Sequence, residues 1–336
     1  MMFKYCLVSF SLLLLFIDAS FARSWHRQNC EPYKPKVPDY DIYKNKKISE
    51  RKCIEYMYKL DEREQIRKHK CTNKGTHVIR GVRTKPSEYP HMGALGWKAA
   101  NGSWLFLCGS SLISERFVLT AAHCTKVRKT NLMNPNPEIV RLGAVNIYNS
   151  SRSGLADVKI KNIIVHPNYK PPEKYYDIAL IELETTVNFT KYVHPACLNT
   201  KPAVDIKNNI FTVTGWGETE NRTTSHHLLS ATVDLFDSNC SNLVLNRNWW
   251  GPLDQHLCAG KLDGSVDTCY GDSGGPLQYK LIERKDDGTM HMIVAITTFG
   301  ARKCAKADTP TVYTQVSTFI EWIENHVWQD EKQIVE

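Results

Sequence analysis

Short runs rich in β-branched and aromatic residues recur between turn-forming residues from residue 78 onward. We predict strands in seven of these runs, "RFVLTAA", "EIVRLGAV", "VKIKNIIVH", "DIALIEL", "NIFTVTGWG", "MHMIVAITTFG" and "TVYTQV". Many short strands with few helical periods indicate antiparallel barrels and an all-β fold class. The exception is "STFIEWIENHVW", whose apolar period predicts an amphipathic α-helix near the C-terminus.

Residues 1–22 have a different pattern. A lysine is followed by an apolar run from Leu7 to Ile17 and by small residues, Ser20 and Ala22, spaced like a cleavage site. This order is typical of a secretory signal peptide, and the apolar run is short for a membrane span. We therefore expect a secreted, extracellular protein with no membrane partner; an anchored N-terminus is the alternative.

Residues 23–77 are rich in Pro and Lys, and most of the segment lacks an apolar period, which predicts an irregular pro-segment. One helix is predicted within "SERKCIEYMYKLDEREQIRK", with Ser49 as its N-cap. Its predicted apolar stripe comprises Ile54, Met57, Tyr58 and Leu60.

The chain has a formal net charge of +8, and its excess of positive charge is local. Residues 23–77 contain fifteen Lys/Arg and eight Asp/Glu, a surplus of seven. We favour a solvated, partly disordered segment over a surface that binds an acidic partner. Nothing in the chain resembles a nucleic-acid-binding module, so no nucleic-acid partner is expected.

Cysteine usage agrees with secretion. The chain has eleven cysteines, and removal of the signal peptide discards Cys6 and leaves ten. An even number in a secreted chain indicates a disulfide framework. Neither a CxxC pair nor Cys and His at zinc spacing is present, so we expect no metal and no cofactor. Five N-glycosylation sequons begin at Asn101, Asn149, Asn188, Asn221 and Asn239.

Three short stretches supply residues for amide hydrolysis. "LTAAHC" contains His123, "YYDIALIEL" contains Asp177 and "DTCYGDSGGPL" contains Ser273. A serine hydroxyl needs a base to take its proton, and the base needs a third group that fixes its tautomer. Glycines around the serine allow a sharp turn that exposes N–H groups to an oxyanion, for which Gly271 and Ser273 are the candidate donors.

These stretches, together with "GWG" and "VYTQV", resemble the chymotrypsin-fold serine proteases of the trypsin-like S1 type. "EYPHMGALGW", "CGSSLISERFVLTAAHC" and "HPACL" resemble in particular the secreted snake-like and clip-type proteases of arthropods. The resemblance implies two six-stranded antiparallel β-barrels and a C-terminal α-helix in a catalytic domain at 78–328, followed by a polar tail at 329–336. A clip domain has six cysteines, whereas residues 23–77 have three, so a standard clip domain is absent.

The resemblance also implies disulfide pairs. Three follow from family spacing: Cys108–Cys124, Cys240–Cys258 and Cys269–Cys304. Family members pair the equivalent of Cys197 with the cysteine before the activation site, which here is Cys71, so Cys30 would pair with Cys53. The alternative is Cys30–Cys71 with Cys53–Cys197, because a sequence does not fix connectivity.

Family zymogens are activated by cleavage, and the resemblance places the cut after His77. The new ammonium group of Val78 would pair with Asp272 and order the Gly271 N–H toward the oxyanion. Because the cut would follow a histidine and not a lysine or an arginine, the activating protease would not require Lys or Arg before the scissile bond. Cleavage after Arg80, which occupies a family glycine position, is the alternative.

The primary specificity pocket is predicted from the same resemblance. Asp267 stands where trypsin-like members bind Arg or Lys, and Gly300 keeps one pocket wall open. Thr311 replaces a glycine at the other wall and would narrow the pocket. Both a trypsin-like preference and a preference for smaller, non-basic residues stay open.

We therefore expect a secreted serine endopeptidase zymogen that hydrolyses proteins within an extracellular immune or developmental cascade. Its expected partners are a protein substrate, an upstream activating protease and a serpin inhibitor. The alternatives are a digestive trypsin-like or elastase-like protease and a binding-only homologue without catalysis.

Overall fold

Six antiparallel strands form the first barrel. The computed structural model describes residues 43–69, 84–149, 154–217, 224–236, 248–261, 272–284, 287–300 and 310–332. The strands of this barrel are β1 (Met92–Lys98), β2 (Trp104–Leu112), β3 (Phe117–Thr120), β4 (Ile139–Leu142), β5 (Ala156–Val165) and β6 (Ala179–Leu183). They close the barrel in the order β1-β2-β3-β6-β5-β4.

The first barrel closes around branched apolar side chains. Leu95, Leu119 and Val140 are fully buried and belong to one core cluster. Strand β1 approaches its neighbours closely because it contains glycine: a Cβ at Gly93 would lie 2.6 Å from Ser110 Oγ. The interior is therefore filled by side chains, as in other small barrels.

The second sheet contains β7 (Cys197–Leu198), β8 (Phe211–Gly215), β9 (Leu229–Phe236), β10 (His256–Gly260), β11 (Pro276–Arg284), β12 (Gly288–Phe299) and β13 (Thr311–Gln315). Six of them form a ring, because β11 pairs with both β8 and β12. The short β7 adds to β12 in parallel. Two six-stranded barrels are confirmed, with one extra parallel strand that the sequence did not predict.

All seven apolar runs that were predicted as strands contain one: β3, β4, β5, β6, β8, β12 and β13. The predicted C-terminal helix is also confirmed. It is α2 (Ile320–Val327), it follows a 3₁₀ turn at Val316–Phe319, and the short α3 (Gln329–Lys332) comes after it. Helix α2 buries Ile320 and Ile323 in the same core cluster as the first barrel.

The helix predicted within residues 23–77 is α1 (Ile48–His69), and it lies against the second sheet and α2. Its buried residues are Ile48, Ser49, Cys53, Tyr56 and Leu60, of which the last four recur at helical spacing. The predicted stripe of Ile54, Met57, Tyr58 and Leu60 is therefore wrong except for Leu60 and the partly buried Met57. Ser49 is not an N-cap either, since it lies inside the helix and contacts α2.

None of the helices within the described residues combines the length and the apolar character needed to cross a bilayer.

Candidate active site

The junction of the two barrels holds a histidine–aspartate pair. His123 lies in a 3₁₀ turn, Ala122–Thr125, directly after β3, and Asp177 lies just before β6. The His123 Nδ1 atom is 2.7 Å from Asp177 Oδ2, and the His123 backbone N–H donates to Asp177 Oδ1 at 2.8 Å. The carboxylate is 1% exposed and the imidazole 27% exposed. The Nδ1 bond orients the imidazole, the backbone bond fixes the buried carboxylate, and Nε2 is the ring nitrogen that Asp177 does not bind.

The backbone carbonyl of Asp177 is held from the second barrel. Thr314 Oγ1 donates to Asp177 O at 3.2 Å, and Thr298 Oγ1 lies 2.7 Å from Thr314 Oγ1. Both threonines are buried. Sequence reasoning missed this pair, although polar residues within the apolar runs of β12 and β13 were the available signal. The threonines tie Asp177 to both barrels and stabilise its position.

Ser273 lies beside the disulfide that adjoins His123. Its carbonyl accepts a hydrogen bond from the Gly109 N–H at 2.8 Å. The next residue, Gly274, has a φ of +78°, and a Cβ there would meet Thr120 Oγ1, Gly109 O and Cys124 Sγ. The same Cys124 Sγ lies 3.7 Å from His123 Nε2. The structure thus brings Ser273, His123 and Asp177 to one place, and only glycine fits after the serine.

Asp272 faces the backbone of β8 and the turn that follows it. Its Oδ1 atom accepts a hydrogen bond from the Gly217 N–H at 2.9 Å. A Cβ at Gly215 or Gly217 would overlap the carboxylate, so both glycines make room for it. Other residues of the predicted activation machinery lie outside the described residues; they are His77, Val78, Arg80 and Gly271.

Two of the predicted pocket residues are neighbours. Gly300 directly follows β12 and Thr311 begins β13, and these strands pair. Thr311 is 1% exposed, and a Cβ at Gly300 would lie 2.8 Å from its Oγ1 atom. Asp267 lies outside the described residues.

An aromatic group borders this pocket wall. Tyr175, two residues before Asp177, stacks with both the Trp249 and the Trp250 ring, with interplanar angles of 11° and 4°. Phe299, next to Gly300, packs edge-on against Trp249 with ring centroids 5.0 Å apart. Trp249 is buried, whereas Trp250 is 73% exposed. The group therefore connects the aspartate side of the site to the pocket wall.

The disulfide pattern corrects one prediction. Cys197 in β7 pairs with Cys53 in α1, with Cα atoms 4.9 Å apart, and not with Cys71. The reason is the docking of α1, whose buried face places Cys53 opposite β7. The prediction of Cys30–Cys53 fails with it, whereas the Cys53–Cys197 bond of the alternative scheme is confirmed.

The remaining cysteine predictions have mixed outcomes. Cys108–Cys124 is confirmed. Cys258 is disulfide-bonded, and its predicted partner Cys240 lies outside the described residues. The other cysteines outside the described residues are Cys30, Cys71, Cys269 and Cys304.

Three of the sequon asparagines lie on the exposed surface: Asn101, Asn149 and Asn188. Asn221 and Asn239 lie outside the described residues.

Two barrels with a histidine–aspartate pair and a glycine-flanked serine at their junction define the class of chymotrypsin-fold serine proteases. The model of the trypsin family matches residues 78–323. The chain belongs to the trypsin family.

Curated relatives agree with this family. The chain is 38% identical over 266 residues to serine protease Hayan and 35% identical over 294 residues to serine protease snk, both of Drosophila melanogaster. It is 31% identical over 264 residues to CLIP domain-containing serine protease B4 of Anopheles gambiae. The matches cover 75%, 83% and 75% of this chain. They span 39%, 64% and 70% of the three relatives, so the first two are considerably longer than their match.

Proposed function

We propose that the protein is a secreted serine endopeptidase zymogen that hydrolyses peptide bonds of protein substrates. The observation that carries the proposal is the pair of bonds between His123 and the buried Asp177, beside the backbone turn of Ser273. Catalysis of amide hydrolysis by serine requires this combination of nucleophile, base and orienting carboxylate.

The geometry supports a definite division of roles. Asp177 accepts the Nδ1–H bond, which leaves His123 Nε2 without its proton and able to take the one from Ser273 Oγ. The oxygen attacks the scissile carbonyl, and the imidazolium then donates its proton to the leaving amine. Water repeats the sequence on the acyl-enzyme and regenerates the serine. The N–H groups of Gly271 and Ser273 are the proposed oxyanion donors.

Activation is proposed to follow cleavage after His77. The ammonium group of Val78 would pair with Asp272, whose carboxylate lies against Gly215 and Gly217. The Asp272 carboxylate is partly buried and would gain from a cationic partner, and an α-amino group is largely protonated near neutral pH. The competing site, after Arg80, would offer glycine instead of valine as the new terminus.

The cleaved pro-segment is proposed to stay attached. Residues 70–77 follow α1, so a cut after His77 breaks the peptide chain between α1 and the catalytic domain. The Cys53–Cys197 disulfide still joins the two chains. The tether is thus made by a helix cysteine instead of the predicted Cys71.

Substrate preference depends on Thr311. Its buried side chain beside Gly300 supports a narrow pocket. A trypsin-like preference requires Asp267 to reach Arg or Lys past this side chain, whereas a shallow pocket favours small residues. Turnover of matched Arg, Lys, Leu and Ala peptides decides between the two. Thr311→Gly should raise the rate on the Arg and Lys peptides only if Asp267 lies at the bottom of the pocket, beyond residue 311.

We place the enzyme in an extracellular protease cascade. Support comes from relatives whose names are clotting factor G beta subunit, of Tachypleus tridentatus, and melanization protease 1, of D. melanogaster. Its partners would then be an upstream protease, a protein substrate and a serpin inhibitor. A digestive protease is the enzymatic alternative, and the tethered α1 counts against it because digestive zymogens usually shed short propeptides.

The test uses the full chain with residues 73–77 replaced by the enteropeptidase recognition sequence, so that cleavage exposes Val78. We expect peptide turnover to rise at least tenfold on cleavage and to disappear in Ser273→Ala. Asp272→Asn should remove most of the gain, since it removes the charge that binds the new terminus. Equal turnover before and after cleavage, or full activity of Asp272→Asn, would contradict the activation scheme.

A further inference from the structure

A cationic loop lies directly after the catalytic histidine. Lys126, Arg128 and Lys129 follow the turn of His123 within six residues, and all three are exposed. The sequence from Arg116 to Pro137 contains no Asp or Glu. The loop therefore carries three exposed positive charges and no acidic residue of its own.

The loop is held in a fixed position. Val127 and Leu132 pack against the core of the first barrel. The Val127 N–H donates to Pro135 O at 2.8 Å, and the same oxygen accepts from Trp97 Nε1 at 3.0 Å. Because the apolar side chains point into the core, the cations between them point outward.

Some cations of the catalytic domain are neutralised by a carboxylate, and those of this loop are not. Arg141, Lys161 and Lys261 each form an ion pair with a carboxylate. Among the residues that the structure describes, Lys126, Arg128 and Lys129 form none. Their field is thus not neutralised locally, and it acts over a Debye length of about 8 Å at physiological salt.

We propose that this loop, 126–129, recognises acidic residues of the protein substrate close to the scissile bond. The inference rests on the proposed function, because it names the substrate chemistry of the same site. Six residues separate His123 from Lys129, a distance of at most about 20 Å. An extended substrate advances about 3.4 Å per residue, so the acids lie within about six positions of the scissile bond. Every peptide substrate must reach His123 to be cleaved, so we commit to an acidic peptide as the ligand of this loop and not to a sulfated polysaccharide.

The test measures binding and turnover separately. Cleaved protein carrying Ser273→Ala binds three fluorescent peptides, one with two Asp before the scissile bond, one with two Asp after it, and one with Asn at all four positions. We expect one acidic peptide to bind about 3–10-fold more tightly than the neutral peptide at low salt. The difference should vanish in about 0.5 M salt, where the Debye length is a few ångströms.

Matched variants locate the effect. Arg128→Ala/Lys129→Ala should abolish the preference and leave neutral-peptide binding unchanged, and Lys126 is kept because it borders the turn of His123. Lys159→Ala/Lys207→Ala removes the same charge at exposed sites elsewhere and should retain the preference. Equal affinity of all three peptides would overturn the proposal. It would also be overturned if Arg128 and Lys129 affected the binding of a sulfated oligosaccharide and of no peptide. Lack of turnover of the neutral peptide by the cleaved wild type would refute the proposed function alone, since binding is measured without it.

Discussion

Helices α1 and α2 lie side by side and are held in different ways. Helix α2 inserts Ile320 and Ile323 into the core of the first barrel. Helix α1 contributes only its first residue, Ile48, to that core, buries Tyr56 and Leu60 in a smaller cluster, and is further held by polar groups and by a disulfide. The apolar pattern predicted α2 well because burial of apolar area stabilises it. It misplaced the buried face of α1, where contacts specific to the partner surface decide the orientation.

The largest expected effects come from truncating one anchor of each helix. Tyr56, 1% exposed, packs edge-on against Phe189, and Ile323 is fully buried. Ile323→Ala should reduce the free energy of global unfolding by about 2–5 kcal/mol. Tyr56→Ala should cost about 3–5 kcal/mol, mainly by releasing α1. Hydrogen exchange separates the outcomes, because Tyr56→Ala should speed exchange in α1 and leave the first barrel protected. Equal deprotection of both regions would show that α1 belongs to the global folding unit.

A smaller effect is expected at the contact between the helices. Glu324 of α2 is buried, and its Oε1 accepts bonds from the Ser49 N–H at 2.8 Å and from Ser49 Oγ at 2.7 Å. Glu324→Ala leaves the buried N–H without an acceptor and should cost about 1–3 kcal/mol. Ser49→Ala removes one bond and should cost less. The double variant should be no less stable than Glu324→Ala alone in urea unfolding, whereas additive losses would mean that the two residues stabilise the fold separately.

Acid should destabilise the packing beneath α1. His194 lies beneath Tyr56 and Phe189, and burial lowers its pKa from 6.5 to about 3, with Lys59 and Arg63 acting in the same direction and a bond to Pro195 O opposing them. The unfolded chain therefore binds a proton that the folded chain excludes below pH 6.5. Stability is fully present above that pH and falls toward pH 3, by about 2 kcal/mol at pH 5.

The matched variant for this prediction is His194→Phe, which keeps an aromatic ring and cannot titrate. Between pH 7 and pH 5 the free energy of unfolding should fall by about 2 kcal/mol more in the wild type than in the variant. Other buried histidines, His91 and His256, each with a pKa near 4, lower stability in acid in both proteins. Equal losses in the two proteins would show that protonation of His194 does not destabilise the fold.

The smallest effect is expected at the outer ion pairs of α1. Arg284 of β11 contacts Asp61 at 2.7 Å and Glu64 at 3.1 Å, near the surface. Exposed pairs are screened by water and salt, so Asp61→Asn should cost about 0.2–1 kcal/mol and nothing measurable at high salt. A loss larger than that of Glu324→Ala would mean that the outer charges, not the inner contact, hold α1.

Some strands could be predicted from the sequence and others could not. Runs such as "DIALIEL" are rich in branched residues and were predicted correctly. Strand β1, "MGALGWK", was missed because its two glycines and lack of β-branched residues conceal the period, although the same glycines permit close packing. Strand β11 was missed because "QYKLIER" alternates charges along a partly exposed ribbon.

The site shows the same division. His123, Asp177 and Ser273 were predictable because the chemistry dictates residue types in short motifs. The support of Asp177 by Thr314 and the bond between Cys53 and Cys197 were not, since both depend on which surfaces meet after folding. A cysteine's partner is set by three-dimensional proximity, and here the orientation of α1 decides it.

The most direct test of the whole account is labelling by a fluorophosphonate, followed by electrophoresis with and without reductant. Protein cleaved before Val78 should be labelled on one band of full size without reductant and on the shorter catalytic chain with it. The uncleaved protein and Ser273→Ala should stay unlabelled, and Cys53→Ser should yield the shorter labelled chain without reductant. Absence of label on correctly cleaved protein, or persistence of label in Ser273→Ala, would contradict the assignment of a serine protease with a tethered pro-segment.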